Sequence, residues 1–98
     1  MSKQSEKKHI SQPHKVSLYL KSKPNSRIFV AGTFNDWDAE SLPLIDENNN
    51  GNYHIALTLR PGKYEYKFII DGVWCIDENN PDFIINDFGT LNSILKVQ

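Results

Sequence analysis

The stretch Lys63-Tyr64-Glu65-Tyr66-Lys67-Phe68-Ile69-Ile70-Asp71-Gly72-Val73-Trp74-Cys75-Ile76 alternates in character and breaks once, at Asp71-Gly72. Asp-Gly between β-forming residues is the chemistry of a two-residue type I′ hairpin loop, which needs positive φ at both central positions. Such a loop pairs Ile70 with Val73, Ile69 with Trp74, Phe68 with Cys75 and Lys67 with Ile76. Side chains then sort by face with a period of two. Tyr66, Phe68, Ile70, Val73 and Cys75 are expected inside. Lys67, Ile69, Trp74 and Ile76 fall on the other face, with Lys67 and Trp74 diagonal neighbours at roughly 7–8 Å. A Lys and a Trp together are unusual decoration for a solvated sheet. A loop of three residues would flip one strand and separate them.

Outward from this hairpin the chain reads as short strands separated by turns. Val16 to Lys21 alternates, and Lys23 to Ser26 is a turn. Arg27 to Gly32 is nearly continuous apolar, as a central strand covered on both sides would be. Thr33 to Leu44 is a loop that places Trp37 between Asp36 and Asp38, and Pro43 breaks any helix there. Asp46 to Asn52 is a polar turn, Tyr53 to Leu59 alternates, and Pro61-Gly62 turns the chain into the hairpin. Asp77 to Asp87 is a loop interrupted by Phe83-Ile84-Ile85, and Leu91 to Val97 closes the chain as a strand. About seven strands at regular spacing and no credible helix imply an all-β antiparallel β-sandwich.

Ninety-eight residues suffice for one domain with a modest core. Residues 1–15 are polar and aperiodic and are expected to form a flexible tail, leaving 16–98 as the folded module. That tail carries four Lys and one Glu, whereas the remainder carries seven Lys/Arg against eleven Asp/Glu. An acidic body is the wrong surface for nucleic acid. No apolar run approaches a membrane span. The N-terminus has neither the apolar block of a secretory leader nor the glycine that N-myristoylation needs, Ser2 standing there instead. The lone Cys75 permits no internal disulfide, so a reducing, cytoplasmic setting is expected, with the thiol buried and inert.

Enzymatic chemistry finds little support. Asp46-x-Asn48-x-Asn50-Gly51 matches the first half of a calcium loop, but the twelfth position, which should supply a bidentate carboxylate, is Leu57. An Asn/Gly-rich hairpin turn is the better account. His9, His14 and His54 share no ligand spacing, so no metal is expected. No glycine-rich loop precedes a helix to cradle phosphate, and no cofactor is implied. The carboxylates suggest a glycosidase pair only by number, because they cluster in open loops. No nucleophile sits on an identifiable elbow. What remains is aromatic: Trp37 in a charged loop and Trp74 on an outer face beside Lys67. Both could simply be half-buried sandwich residues. Planar rings next to polar donors are also what a sugar requires, its C–H faces stacking while its hydroxyls are hydrogen-bonded.

Gly32-Thr33-Phe34-Asn35-Asp36-Trp37, Tyr66-Lys67-Phe68-Ile69-Ile70-Asp71-Gly72-Val73-Trp74, Asp77, Pro81 and Gly89-Thr90-Leu91-Asn92 together resemble the signature of family 48 carbohydrate-binding modules. Within that family the likeness is to the glycogen-binding domains of AMP-activated protein kinase β subunits, and it spans about Val16 to Val97. The resemblance implies an immunoglobulin-like, early-set sandwich that binds α-1,4-linked glucans such as glycogen, starch and maltooligosaccharides. It makes Trp37 and Trp74 stacking platforms, Lys67 a donor to hydroxyls, and Thr90 and Asn92 polar contacts. Kinase members usually carry a leucine where Phe88 stands, one that reaches into the ring of sugars; a phenylalanine would lie flat instead. Alternation puts Phe88, Thr90 and Asn92 on one side. Branching and debranching enzymes also contain such modules, packed on a catalytic barrel that has no counterpart here. The expectation is a non-catalytic glucan-binding module. Its rival is a β-sandwich of the same fold that docks on a kinase or a glucan-metabolising enzyme and uses the tryptophans as anchors.

Overall fold

The structure, a computed structural model, describes residues 12–98. Among the described residues seven strands follow one another: β1 (His14–Lys21), β2 (Ile28–Gly32), β3 (Asn52–Leu59), β4 (Gly62–Ile70), β5 (Val73–Cys75), β6 (Phe83–Ile85) and β7 (Leu91–Val97), with a 3₁₀ turn at Thr33–Asn35. β1 and β3 form a two-stranded sheet; β2, β4, β7 and β6 follow in that order in a five-stranded sheet, where β5 also pairs with β4. Every named pairing is antiparallel. The two layers enclose Leu18, Tyr53 and Leu57 from one side and Ile28, Val30, Tyr66 and Phe68 from the other. The architecture is the antiparallel β-sandwich that the spacing of turn signals implies.

The decisive hairpin forms in the expected register. Asp71 and Gly72 have φ of 49° and 86°, and Phe68, Ile69 and Ile70 pair with Cys75, Trp74 and Val73. The fourth expected pair, Lys67 with Ile76, is absent, because β5 ends at Cys75. Tyr66 and Phe68 lie in the core, but Val73 is 64 % exposed. Alternation chose its side correctly; at the turn the facing layer no longer covers it. Ile69 points outward yet is buried, flanked on its own face by Phe29 and Trp74 through the β2 and β5 pairings.

Two strand assignments shift. β1 begins at His14, two residues before the alternation starts, where His14 and Lys15 pair with Leu59 and Thr58. Residues 1–11 of the expected tail lie outside the described residues. β2 is apolar and buried but not central: it ends the sheet's strand path. Its outer edge is closed by the chain itself, Val30 N–H donating to the Leu42 carbonyl (3.0 Å) and Leu44 N–H to that of Ile28 (2.8 Å). Pro43 lies opposite Phe29, between those two bonds, where its missing N–H matters least. One residue on, Ile45 exchanges both backbone bonds with His54 of β3 (2.9 and 3.0 Å). Residues 42–45 therefore cover a sheet edge and stitch the two layers together.

Below β4 a buried polar knot holds the 77–80 loop. Tyr66 Oη donates to Asp77 Oδ2 (2.7 Å) and accepts from Asn80 Nδ2 (3.1 Å), while Asp77 N–H donates to Ser93 Oγ (2.8 Å). Burial foremost, and then the bond to Asp77, push the Tyr66 hydroxyl well above the usual phenol range.

Candidate carbohydrate-binding site

The outer face of the five-stranded sheet is built by the residues that alternate away from the core. On β4 these are Glu65, Lys67 and Ile69. β5 contributes Trp74, and Asn92 of β7 comes just before Ser93, the partner of Tyr66, and so faces the other way. Two loops rise over this face. Between β6 and β7, Asn86 acts as the organiser. Its Oδ1 accepts the N–H groups of Phe88 (2.9 Å) and Thr90 (3.1 Å), and its own N–H donates to the Thr90 carbonyl (2.8 Å). That Asx arrangement, with Gly89 at φ 83°, throws Phe88 outward until its residue is 91 % exposed.

The second loop follows β2 and carries Trp37. It starts at Gly32, where a Cβ would sit 2.3 Å from the Glu65 carbonyl oxygen and 2.9 Å from the Phe34 ring, so only glycine lets the chain cross so close to β4. Thr33 Oγ1 accepts the Glu65 N–H (3.2 Å). Asn35 ties the turn together, accepting from Gly32 N–H (2.9 Å) and donating to the Asp38 carbonyl (3.0 Å) and Ser41 Oγ (2.9 Å). Asp36 and Trp37 both adopt left-handed backbone, φ 55° and 59°. For a bulky residue that conformation stores on the order of 1–3 kcal/mol. The Asn35 bonds and the Trp37 N–H to the Gly32 carbonyl (2.9 Å) hold it there. Strain kept at a surface tryptophan points to a site.

All six residues singled out from sequence, Trp37, Lys67, Trp74, Phe88, Thr90 and Asn92, line one open cleft of about 300 Å³. Trp37 is half-buried and Trp74 is 44 % exposed, so each is anchored and still offers ring surface. Lys67 Nζ donates to Thr90 Oγ1 (3.1 Å), which also accepts from Asn86 Nδ2 (2.7 Å). With its lone pairs so engaged, the Thr90 hydroxyl has its hydrogen left to donate. Asn92 is the buried floor, its amide donating to Glu65 Oε1 (2.9 Å) and accepting from Asn86 (3.1 Å). Two lining residues escaped the sequence reading, Glu65 and Asn86. Glu65 was within reach, being two positions before Lys67 and so on its face. Asn86 carries no comparable signal, since its role is set by the loop it folds.

The cleft's charges, Lys67 and Glu65, cancel, which suits an uncharged polyol better than a phosphate or carboxylate ligand. A glycosidase needs two carboxyl groups flanking the scissile bond; Glu65 is the one carboxylate among the lining residues, and it is committed to Asn92. The Cys75 thiol, on the opposite face of β5, is half-buried rather than fully enclosed. Burial, then Glu78 and Asp77, push its pKa up, away from nucleophilic use. Both carboxylate oxygens of Asp46 accept backbone N–H groups, from Asn50 (3.1 Å) and Gly51 (2.7 Å), so the calcium-like motif works as a hairpin turn. Among the described residues no cluster of His, Cys, Asp and Glu could hold a metal ion.

Residues 20–98 match the family described as the glycogen recognition site of AMP-activated protein kinase. Among similar curated proteins, the mouse 5′-AMP-activated protein kinase subunit beta-2 is 32 % identical over 77 residues, which is 79 % of this chain and 27 % of that protein. The pig subunit beta-1 is 35 % identical over 71 residues, 72 % of this chain and 54 % of the other. The rice chloroplastic protein FLOURY ENDOSPERM 6 is 34 % identical over 76 residues, 78 % of this chain and 14 % of its own. The chain thus spans about a quarter of the length of the beta-2 subunit it matches.

Proposed function

Because the chain belongs to the family of glycogen recognition sites of AMP-activated protein kinase, we propose that it is a non-catalytic module that binds α-1,4-linked glucans: glycogen, starch and maltooligosaccharides. The observation that carries this reading is the convergence of two anchored tryptophans, an exposed phenylalanine and a Lys67–Thr90 donor pair on one charge-neutral cleft. In this reading Trp37 and Trp74 stack on the C–H faces of glucose units and Phe88 lies flat on the chain. Lys67 and Thr90 donate to hydroxyls, and Asn92 holds the floor. Migration of the protein in a native gel containing glycogen, against one without, tests it. Retardation that excess maltoheptaose relieves is expected; equal migration in both gels would refute it. The same clean protein is expected to release no reducing sugar from glycogen, and release that one Asp or Glu substitution abolishes would overturn the non-catalytic assignment.

A second role, docking on a kinase or glucan-metabolising enzyme, is favoured by β6. Phe83, Ile84 and Ile85 are 53 %, 41 % and 68 % exposed on the strand that ends the sheet, an open apolar edge of the kind used for partner contact. Ile85→Lys should then weaken co-purification with such a partner while leaving glycogen retardation intact; unchanged co-purification would remove β6 from the contact.

A further inference from the structure

We infer that the glucan-binding surface continues past Trp74 onto a second shelf, so that the protein grips a longer stretch of α-glucan than the first cleft holds. This inference rests on the glucan reading of that cleft. Ile69 pairs with Phe29 on β2 and with Trp74 on β5, so the three form one row across the outer face, next to the Lys67 row. Trp74 lines both the cleft and a second open depression of about 500 Å³, floored by Phe29 and Ile69 and rimmed by Arg27, Glu40 and Asp71. Both volumes fall within the range of small-molecule sites, roughly 300–1,000 Å³.

The rim is held in place and its charged ends are left over. Arg27 N–H donates to Asp71 Oδ1 and Asp71 N–H to the Arg27 carbonyl, each at 2.8 Å. The Arg27 guanidinium lies over the Phe29 ring, 5.5 Å from its centroid, so a planar fork of donors stands at a set place. Glu40 is fixed through its N–H to Asp38 Oδ1 (3.0 Å). Neither the Arg27 guanidinium nor the Glu40 carboxylate has an ion-pair partner among the described residues. An apolar floor with unclaimed donors and acceptors around it repeats the recipe of the first cleft, and the two share a tryptophan. A polymer presents the same faces and hydroxyls at every unit. It is therefore the occupant that fits two such strips laid end to end, with the guanidinium fork and the carboxylate taking hydroxyls on the distal units.

Calorimetric titration with maltotriose and maltoheptaose tests this on the wild type and the Arg27→Ala/Glu40→Ala double variant. Wild type should bind maltoheptaose about tenfold more tightly than maltotriose. The double variant should bind maltotriose within about twofold of wild type and lose most of the length advantage. Both side chains replaced belong to residues outside the core, and a melting scan checks that the variant is folded. Backbone amide signals of Ala39 and Gly72 should move with maltoheptaose and stay still with maltotriose, a readout that needs no mutation. A length advantage undiminished in the variant, or equal weakening for both sugars, overturns the shelf. Wild type binding both sugars equally also overturns it and leaves the first cleft standing. Wild type binding neither sugar refutes the glucan reading itself, and the shelf with it.

Discussion

Replacing Trp74 by alanine separates a binding platform from a core residue. Trp74 is 44 % exposed on a strand of three residues that pairs only with β4. A fully buried tryptophan hides roughly 150–250 Å², so about half of that, on the order of 100 Å², is at stake here. At about 25 cal/mol per Å² this is an upper figure of ~2.5 kcal/mol, and ~1–2 kcal/mol once the alanine and a relaxed hairpin recover part of it. For a domain of this size each kcal/mol lowers Tm by about 4–8 °C, so a drop of about 5–15 °C is expected, from a total stability of about 5–15 kcal/mol. A core tryptophan would cost about 3–5 kcal/mol. Loss of a stacking anchor should cost binding on the order of 2 kcal/mol, a weakening of about thirtyfold. The assay is maltoheptaose titration at a temperature well below the variant's own melt, with near-ultraviolet circular dichroism confirming packed aromatics. Trp74→Phe, which keeps a planar ring, should recover part of the affinity. A folded Trp74→Ala that binds within twofold of wild type would refute the platform, and a variant with no cooperative melt would return Trp74 to the core.

Tyr66→Phe removes a donor from Asp77, whose residue is only 7 % exposed; it should lower stability by about 1–3 kcal/mol and change glucan affinity less than twofold. The raised Tyr66 pKa adds a pH signature. The phenol is held neutral in the folded state and ionises near pH 10 in the unfolded chain, so its contribution is complete below about pH 10 and declines as pH rises beyond it. Wild type should therefore lose more Tm than Tyr66→Phe between about pH 9 and pH 11, and parallel curves would contradict the assignment. Gly51→Ala should destabilise the domain by about 1–3 kcal/mol, because φ there is +88° and a Cβ would meet the Ser22 carbonyl oxygen at 2.4 Å; a melt unchanged from wild type would refute this. Since Asp46 is already spent on the backbone of that turn, millimolar calcium should leave Tm where a chelator leaves it. Deleting residues 1–13 spares β1, which starts at His14, and should leave Tm and glycogen retardation nearly unchanged; a fall of many degrees would show that the segment contributes to the fold.

Local chemistry was enough to read the hairpin, because Asp71-Gly72 admits few backbone solutions and a two-residue loop leaves one register. From that register it follows that Lys67, Ile69 and Trp74 share a face. Strand count and the sandwich class follow from turn chemistry in the same way. What needed the tertiary structure was everything that depends on what lies opposite. Alternation assigns a side but not a cover, so Val73 on the inner side is exposed and Ile69 on the outer side is buried. An apolar strand such as β2 reads as central whether its edge is met by another strand or, as here, by residues 42–44. Trp37 and Asn86 are placed by loops whose shape comes from hydrogen bonds between residues several positions apart, at Asn35 and Asn86, and no periodicity encodes those. Of the residues that line the cleft, Trp37, Lys67 and Trp74 stand out from their own chemistry and placement, Phe88, Thr90 and Asn92 only through the family resemblance, and Glu65 and Asn86 through neither. Their closure around one cleft, and the second shelf that shares Trp74 with it, arise only when two loops fold over the sheet face and three strands align Phe29, Ile69 and Trp74 in a row.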